Sequence, residues 1–206
     1  MAYETDQEEF WAGEFGNDYT ERNSQDLLLR SKLIRLQRIL SRTTSVQSIV
    51  ELGCNRGLNL QALNHLESTL ELEGYEINAT AAQKAEGLNL GRINCGTITE
   101  AIENTRQFDL SFTSGVLIHI HPAKLDKVYK NLVKLSRRYI LIIEYYNPTP
   151  TEVIYRGERE RLFKRDFAGE LMDGYNLALV DYGFSYHRER FLMNDDSSWF
   201  LLEKRQ

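Results

Sequence analysis

The seven residues Glu51-Leu52-Gly53-Cys54-Asn55-Arg56-Gly57 have the types and spacing from which a nucleotide site is built. Val46 to Val50 before them reads as a short buried strand, and Leu58 to Leu66 after them reads as a helix. Glycine in such a turn tolerates φ > 0 and lets backbone approach a ligand. The helix beyond aims unpaired N–H groups and its positive dipole end at the same point. A second group follows 25 positions after Glu51, where Glu76 ends the strand Leu70 to Glu76. A carboxylate there can accept two hydrogen bonds from the hydroxyls of a ribose. Thr97 follows a third short strand, Arg92 to Cys95, in the loop that borders an adenine in a doubly wound sheet. Strand, glycine turn, helix, strand and terminal acid together point to a bound nucleoside. The spacing is neither the Gly-x-Gly-x-x-Gly of dinucleotide enzymes nor the Gly-x₄-Gly-Lys-Ser/Thr of phosphate loops.

Other residues could act on a second substrate. His119 follows the strand Phe108 to Thr113, at the sheet edge where such sites open, and a histidine titrating near neutrality suits a general base. A histidine that caps the next helix, or bonds beneath the loop, is the structural alternative. His121 precedes Pro122 and reads as a turn residue. Tyr145 and Tyr146 follow the fifth strand at the same edge and are candidates to contact the acceptor. From Arg156 to Arg165 the chain carries five cations against two acids, in the segment after that strand. Arginine's planar fork grips carboxylates and phosphates, so Arg156, Arg159, Lys164 and Arg165 are candidates for an anionic acceptor. A solvated charged helix face is the alternative for most of them.

The elements that must position these groups alternate. Leu29, Leu33, Leu36 and Leu40 recur at helical spacing after Ser24, a plausible N-cap. Asn78 to Glu86 reads as a helix closed by Gly87, and Leu125, Val128, Leu132 and Leu135 mark another. Tyr139 to Glu144 reads as a fifth, fully apolar strand, as a central parallel strand requires. An irregular segment is expected from Tyr145 to about Arg165, then a helix from Asp166 to Gly174. Leu177 to Arg188 and Ser198 to Lys204 read as strands joined by the polar turn Asn194-Asp195-Asp196. Such alternation predicts an α/β sheet with right-handed crossovers. The first 23 residues are too aromatic for disorder: Phe10, Trp11, Phe15 and Tyr19 lie among Gly13, Gly16, Asp18 and Arg22. They predict an arm packed on the core, or a lid over the ligand that excludes water.

Composition bounds the rest. With 206 residues and 42% hydrophobic content, the chain suffices for one good core and is expected to form one domain. A net charge of −5 offers no general basic field for nucleic acid. Cys54 and Cys95 make neither a disulfide framework nor, with four scattered histidines, a metal site, and a cytoplasmic setting is expected. No apolar run reaches the roughly 18 residues of a membrane span, so no membrane partner is expected.

The pattern Glu-x-Gly-x-Asn-x-Gly resembles the first motif of class I S-adenosylmethionine (SAM) methyltransferases, with Asn55 in place of the middle glycine. Glu76, the stretch Gly115 to His119 and the closing strand pair fall in the order of that class. The resemblance implies a Rossmann-like α/β fold, a seven-stranded mixed sheet ordered 3-2-1-4-5-7-6 with helices on both faces. It also implies SAM as cofactor, with S-adenosylhomocysteine as product. Glu51, Gly53, Cys54, Asn55, Gly57, Glu76, Ile77, Thr97, Ser114, Gly115 and Val116 would contact the cofactor. A narrower likeness is to methyltransferases associated with pseudaminic acid biosynthesis. It rests on the run Phe10-Trp11-x-Gly13-x-Phe15-Gly16-x-x-Tyr19-x-x-Arg22-Asn23, on Phe112 to Ile120, on Tyr145 to Pro150, on Leu162 to Leu171 and on Val180 to Phe184. That likeness implies a small-molecule acceptor, a nonulosonic-acid sugar or nucleotide sugar, with Trp11, Tyr19 and Arg22 near it. Another small anionic acceptor, or a SAM-binding module without turnover, are the competing readings.

Overall fold

A parallel strand covered on both faces needs apolar residues without alternation, and Ser48–Leu52 (β1) is buried at every position. The computed structural model describes residues 3–21, 25–103, 106–190, 192 and 195–205. Ahead of β1 lie three helices, Asp6–Ala12 (α1), Glu14–Glu21 (α2) and Gln25–Leu40 (α3). After it the chain alternates through Leu58–Leu66 (α4), Glu71–Glu76 (β2), Ala79–Glu86 (α5), Gly91–Cys95 (β3), Phe108–Ser114 (β4), Leu125–Leu135 (α6) and Ser136–Glu144 (β5). It continues through Thr151–Tyr155 (β6), Glu158–Lys164 (β7), Phe167–Gly174 (α7), Leu177–Ser185 (β8) and Ser197–Lys204 (β9).

Seven strands form one sheet in the order β3-β2-β1-β4-β5-β9-β8. Counted within that sheet alone, β8 and β9 are its sixth and seventh strands, so this is the predicted 3-2-1-4-5-7-6 arrangement. Neighbours up to β5 pair in parallel, whereas β9 runs antiparallel to both β5 and β8. Side chains of a strand alternate between faces. Val50, Ile140 and Ile142 accordingly join the core under α6 and α7, while Ile49, Leu141 and Ile143 join the core under α3 and α4. Strand order reverses beside β1, where the chain leaves β1 for β2 on one side and enters β4 on the other. Loops diverge there and leave a crevice at the carboxyl ends.

Two segments depart from expectation. The stretch expected to be irregular contains a hairpin, β6 and β7, paired antiparallel as a separate sheet. Its two-residue turn, Arg156-Gly157, has φ of +54° and +89°, and paired positive φ values suit the twist of the strands they join. The cation-rich stretch from Arg156 to Arg165 is therefore turn and strand, not a helix face. Charged side chains masked a pattern in which Leu162 is buried. The arm is likewise helical. Thr5 and Glu8 form a reciprocal capping box at the start of α1, a signal written in Thr-x-x-Glu. Phe10 stacks on Phe15 at 4.0 Å, and Trp11 meets Phe15 and Tyr19 edge-on. Ser24, Arg22 and Asn194 lie outside the described residues. Among the described residues no helix is long and apolar enough to cross a membrane.

Gly53 is the tightest point of the frame. Its φ is +81°, and an added Cβ would stand 2.4 Å from Val116 Cγ2. Gly53→Ala should lower stability by about 2–4 kcal/mol in urea denaturation, from left-handed strain and overpacking together. Val116→Ala in the same chain should restore part of that loss; no recovery would show that the strain is purely backbone.

Candidate functional site

The crevice is a cavity of about 510 Å³. Its floor is the turn after β1. Gly53 and Cys54 donate their N–H groups to Tyr75 O at 2.8 and 2.9 Å, which fastens the turn to β2. Asn55, where the resemblance expects glycine, has φ +48°. Asparagine is among the few residues that enter the left-handed region readily, so the substitution keeps the backbone path. Glu76, 7% exposed, holds the turn from the tip of β2. One of its oxygens accepts the Asn55 N–H at 2.7 Å and the other the Asn78 N–H at 2.8 Å. Burial raises its pKa, and the backbone N–H groups oppose that shift. Each oxygen keeps a lone pair for a hydroxyl group of a ligand.

Glu51 lies inside β1 and is 0% exposed. Asn59 of α4 donates to its Oε1, and Oε2 has no partner. Lys32 of α3 donates to Asn59 Oδ1 at 2.9 Å. Burial raises the Glu51 pKa and lowers that of Lys32. Arg35, three residues further along the same helix, also lines the cavity. Neither Lys32 nor Arg35 stood out in the sequence, because the leucine stripe beside them is ordinary for a helix on a sheet. An orphaned carboxylate oxygen and an ammonium group about one side chain apart suit a zwitterion.

His119 sits in the 3-10 turn Leu117–His119 after β4. Its Nδ1 is 2.7 Å from Arg161 O on β7, and a carbonyl only accepts, so Nδ1 carries the proton and Nε2 the lone pair. The ring packs 4.5 Å from Trp11 and 5.2 Å from Tyr155. Burial drops its pKa to about 4, well below the near-neutral value expected of it. Its turn is held by Glu144, the buried acid that ends β5. Glu144 accepts the N–H groups of Val116 and Leu117 at 3.0 and 3.1 Å and of Ile118 at 3.4 Å, while burial pushes its pKa up to about 7. An acid closing an apolar strand was the available signal, the same one that marked Glu76.

Of the predicted contacts, Glu51, Gly53, Cys54, Asn55, Glu76, Ile77, Thr97, Ser114, Gly115 and Val116 line the cavity. So do His119, Tyr145, Trp11, Tyr19 and Arg156. Gly57 does not; it packs behind the turn, where an added Cβ would meet Ala85 and Leu88. Tyr146 is 42% exposed and leans on Phe200. Arg159 points to solvent from β7. Lys164 lies over the Tyr145 ring at 5.2 Å, and Arg165 is paired with Glu170 at 2.7 Å, so neither reaches the cavity. Arg22 lies outside the described residues. Among the described residues no group of three or more His, Cys, Asp or Glu gathers as metal ligands would.

The arm roofs the cavity and is bonded to the loops that form it. Arg56 donates to Thr20 O at 2.8 Å, Asn78 Nδ2 donates to Trp11 O at 3.1 Å, and Thr97 and Thr99 both donate to Glu8. Gln7 donates to Glu160 O of the hairpin at 2.8 Å. The turns after β1, β2 and β3 thus each give a polar side chain to the arm.

Solved structures of similar shape share little sequence. A SAM-dependent methyltransferase from Clostridium acetobutylicum aligns with a TM-score of 0.67 at 12% identity, over 92% of this chain and 97% of that one. Magnesium protoporphyrin IX methyltransferase from Synechocystis, crystallised with SAM, aligns with a TM-score of 0.68 at 10% identity over 100% of both chains. The O-methyltransferase of a polyketide synthase from Brevibacillus brevis, in complex with S-adenosylhomocysteine, aligns with a TM-score of 0.65 at 14% identity, over 86% of this chain and 72% of that one. The chain has the class I methyltransferase fold. No protein-family model matches the sequence, and neither does any curated protein.

The His119 environment makes a pH prediction. Its folded pKa of about 4 lies below the ordinary 6.5, so the unfolded chain takes up a proton that the folded one refuses between those values. Stability from this group is full above pH 6.5 and is lost as the pH falls toward 4. Compared with His119→Gln, the wild type should lose on the order of 2 kcal/mol across that window, allowing for the ring edge that the cavity wets. Parallel urea titrations of both proteins measure it, and identical pH slopes would exclude a desolvated ring.

A second prediction concerns the roof. Glu8→Ala leaves two threonine hydroxyls and the α1 cap without their acceptor. Hydrogen exchange of residues 6–20 should rise by about tenfold or more, as expected for losing bonds to a charged group, while the sheet amides stay protected.

Proposed function

We propose that this protein is a SAM-dependent methyltransferase of small molecules. The observation that carries the reading is the Glu76 carboxylate, aimed by two backbone N–H groups into the cavity beside a left-handed glycine turn. The donor set fits an adenosyl amino acid. Glu76 would accept the ribose hydroxyls, and the loop at Thr97 would border the adenine. The orphaned Oε2 of Glu51 would accept from the α-ammonium group, and Lys32 would face the carboxylate. Bound there, the cofactor supplies an electrophilic methyl group on a sulfonium. The protein's part in an in-line displacement is then to position the acceptor and take up its proton. His119 is the group suited to the second task, because it is neutral at pH 7 and its Nε2 lone pair is free. Trp11 and Tyr155 beside it would exclude water.

A nonulosonic-acid sugar or nucleotide sugar is the acceptor class favoured by the sequence runs quoted above, and the aromatic wall around His119 suits the apolar face of a sugar ring. A cytoplasmic setting accords with two free thiols, Cys54 and Cys95. Calorimetry with S-adenosylhomocysteine tests the cofactor: Glu76→Ala should weaken binding by about 2–3 kcal/mol, the scale of hydrogen bonds to a charged group. Unchanged affinity in that variant sinks the ribose assignment. Mass spectrometry after incubation with SAM and a panel of acid sugars, nucleotide sugars and phosphonates identifies the acceptor by its added methyl group.

A further inference from the structure

Among the described residues Arg35 is a largely enclosed cation with no ion-pair partner. From α3 its guanidinium reaches the ends of β4 and β9, where Nη2 is 3.5 Å from Ser114 Oγ and Nη1 is 3.4 Å from Ser197 Oγ. Both contacts sit at the outer limit of a hydrogen bond. Its Nε is buried and has no hydrogen-bond partner among the described residues. The carboxylates that act on it through space are Asp195, Glu51 and Glu144, in that order, and none of them pairs with it. Glu51 is bonded to Asn59 and Glu144 to backbone N–H groups, and Asp195 stands exposed at the rim. A guanidinium with a buried nitrogen left unpartnered is held unfavourably, so a group that would complete it has much to gain.

Cofactor charge does not account for Arg35. SAM has one carboxylate, and at the β1 end of the cavity Lys32 with the orphaned oxygen of Glu51 already complements its amino-acid zwitterion. Arg35 is a second cation, three residues on, at the β4 and β9 end. Ser114 beside it opens the same short segment that ends at His119, the proton acceptor.

Resting on the methyltransferase reading, we propose that Arg35, with the hydroxyl groups of Ser114 and Ser197, is the subsite for a carboxylate of the acceptor. The guanidinium fork donates two parallel bonds to such a group. Each serine oxygen accepts from Arg35, which leaves its own hydrogen to donate to the anion. The acceptor is then a carboxylic acid methylated at an oxygen or nitrogen elsewhere in the molecule. The carboxylate subsite is then on α3; of the hairpin cations Arg165 is committed to Glu170, Lys164 lies over Tyr145, and Arg156 lines the cavity from the hairpin turn.

The test uses the full chain saturated with S-adenosylhomocysteine, and two probes that share a ring, glucuronate and glucose. Saturation-transfer NMR should show glucuronate binding and glucose binding at least about tenfold more weakly, the scale of one charge-assisted pair. In Arg35→Gln and Arg35→Met that preference should vanish, with affinity for S-adenosylhomocysteine kept within about twofold. Arg35→Met should keep or raise the melting temperature, because it removes an unpartnered enclosed charge. If the wild type fails to bind S-adenosylhomocysteine, the methyltransferase reading itself falls. If it binds but treats the two probes alike, the carboxylate subsite is wrong. A loss of about tenfold or more in S-adenosylhomocysteine affinity in both variants would assign Arg35 to the cofactor's own carboxylate and overturn the proposal.

Discussion

The grip of one carboxylate on two backbone N–H groups underlies the rest of the site. Glu76 could not accept from Asn55 and Asn78 together unless the turn after β1 curled back over the tip of β2. That path needs left-handed backbone at Gly53, Asn55 and Gly57. In the low-dielectric crevice, bonds from N–H groups to a carboxylate are strong and directional. They align the start of α4 and the cap of α5 on one point. Asn78 extends the grip outward: its side-chain oxygen caps α5 at Ala81, while its amide nitrogen holds the arm. A single acid at a strand end thus connects the floor of the cavity to its roof.

The same device recurs across the sheet with different outcomes. Glu51, Glu76 and Glu144 are all buried acids in strands that approach the crevice. Glu76 and Glu144 are met by backbone N–H groups and organise the loops that follow β1 and β4. Glu51 receives a single side-chain bond and keeps an oxygen bare. Glu76 and Glu144 are satisfied from within the fold, whereas Glu51, with the cations Lys32 and Arg35 that line the same cavity, is where the proposed charged ligands would complete the protein. Net charge alone conveyed none of this, since all of these groups sum into a modest acidic total.

Arm and hairpin close the crevice from opposite sides and meet at His119. Trp11 of α1 and Tyr155 of β6 pack against its ring, and Arg161 of β7 fixes its tautomer. Enclosure explains why the histidine stays neutral at pH 7 and is a weak base; in the proposed reaction it would accept a proton only as the acceptor loses it. The loops after β1, β2 and β3 share hydrogen bonds with the roof through Arg56, Asn78 and Thr97, so floor and roof are tied into one hydrogen-bonded unit.

Much of this was legible in the chain. Alternating apolar strands and helical stripes specify the doubly wound sheet, because burial on two faces leaves no other pattern for β1, β4 and β5. Strand-end acids and glycines specify the nucleoside side, because close backbone approach and paired acceptors are local requirements. Even Asn55 was readable as a glycine substitute, since left-handed backbone is a property of single residues. The arm's capping box and the Arg156-Gly157 turn were local too, but a high density of charge concealed them. The acceptor side was not legible. Glu8 meets Thr97 across 89 positions, His119 meets Arg161 across 42, and Arg35 meets Ser197 across 162. No periodicity encodes such pairs. Only tertiary structure could decide which arginine is matched by an acid, as Arg165 is, and which, like Arg35, has no acid paired with it among the described residues, because a charge's worth depends on the water and partners that folding removes or supplies.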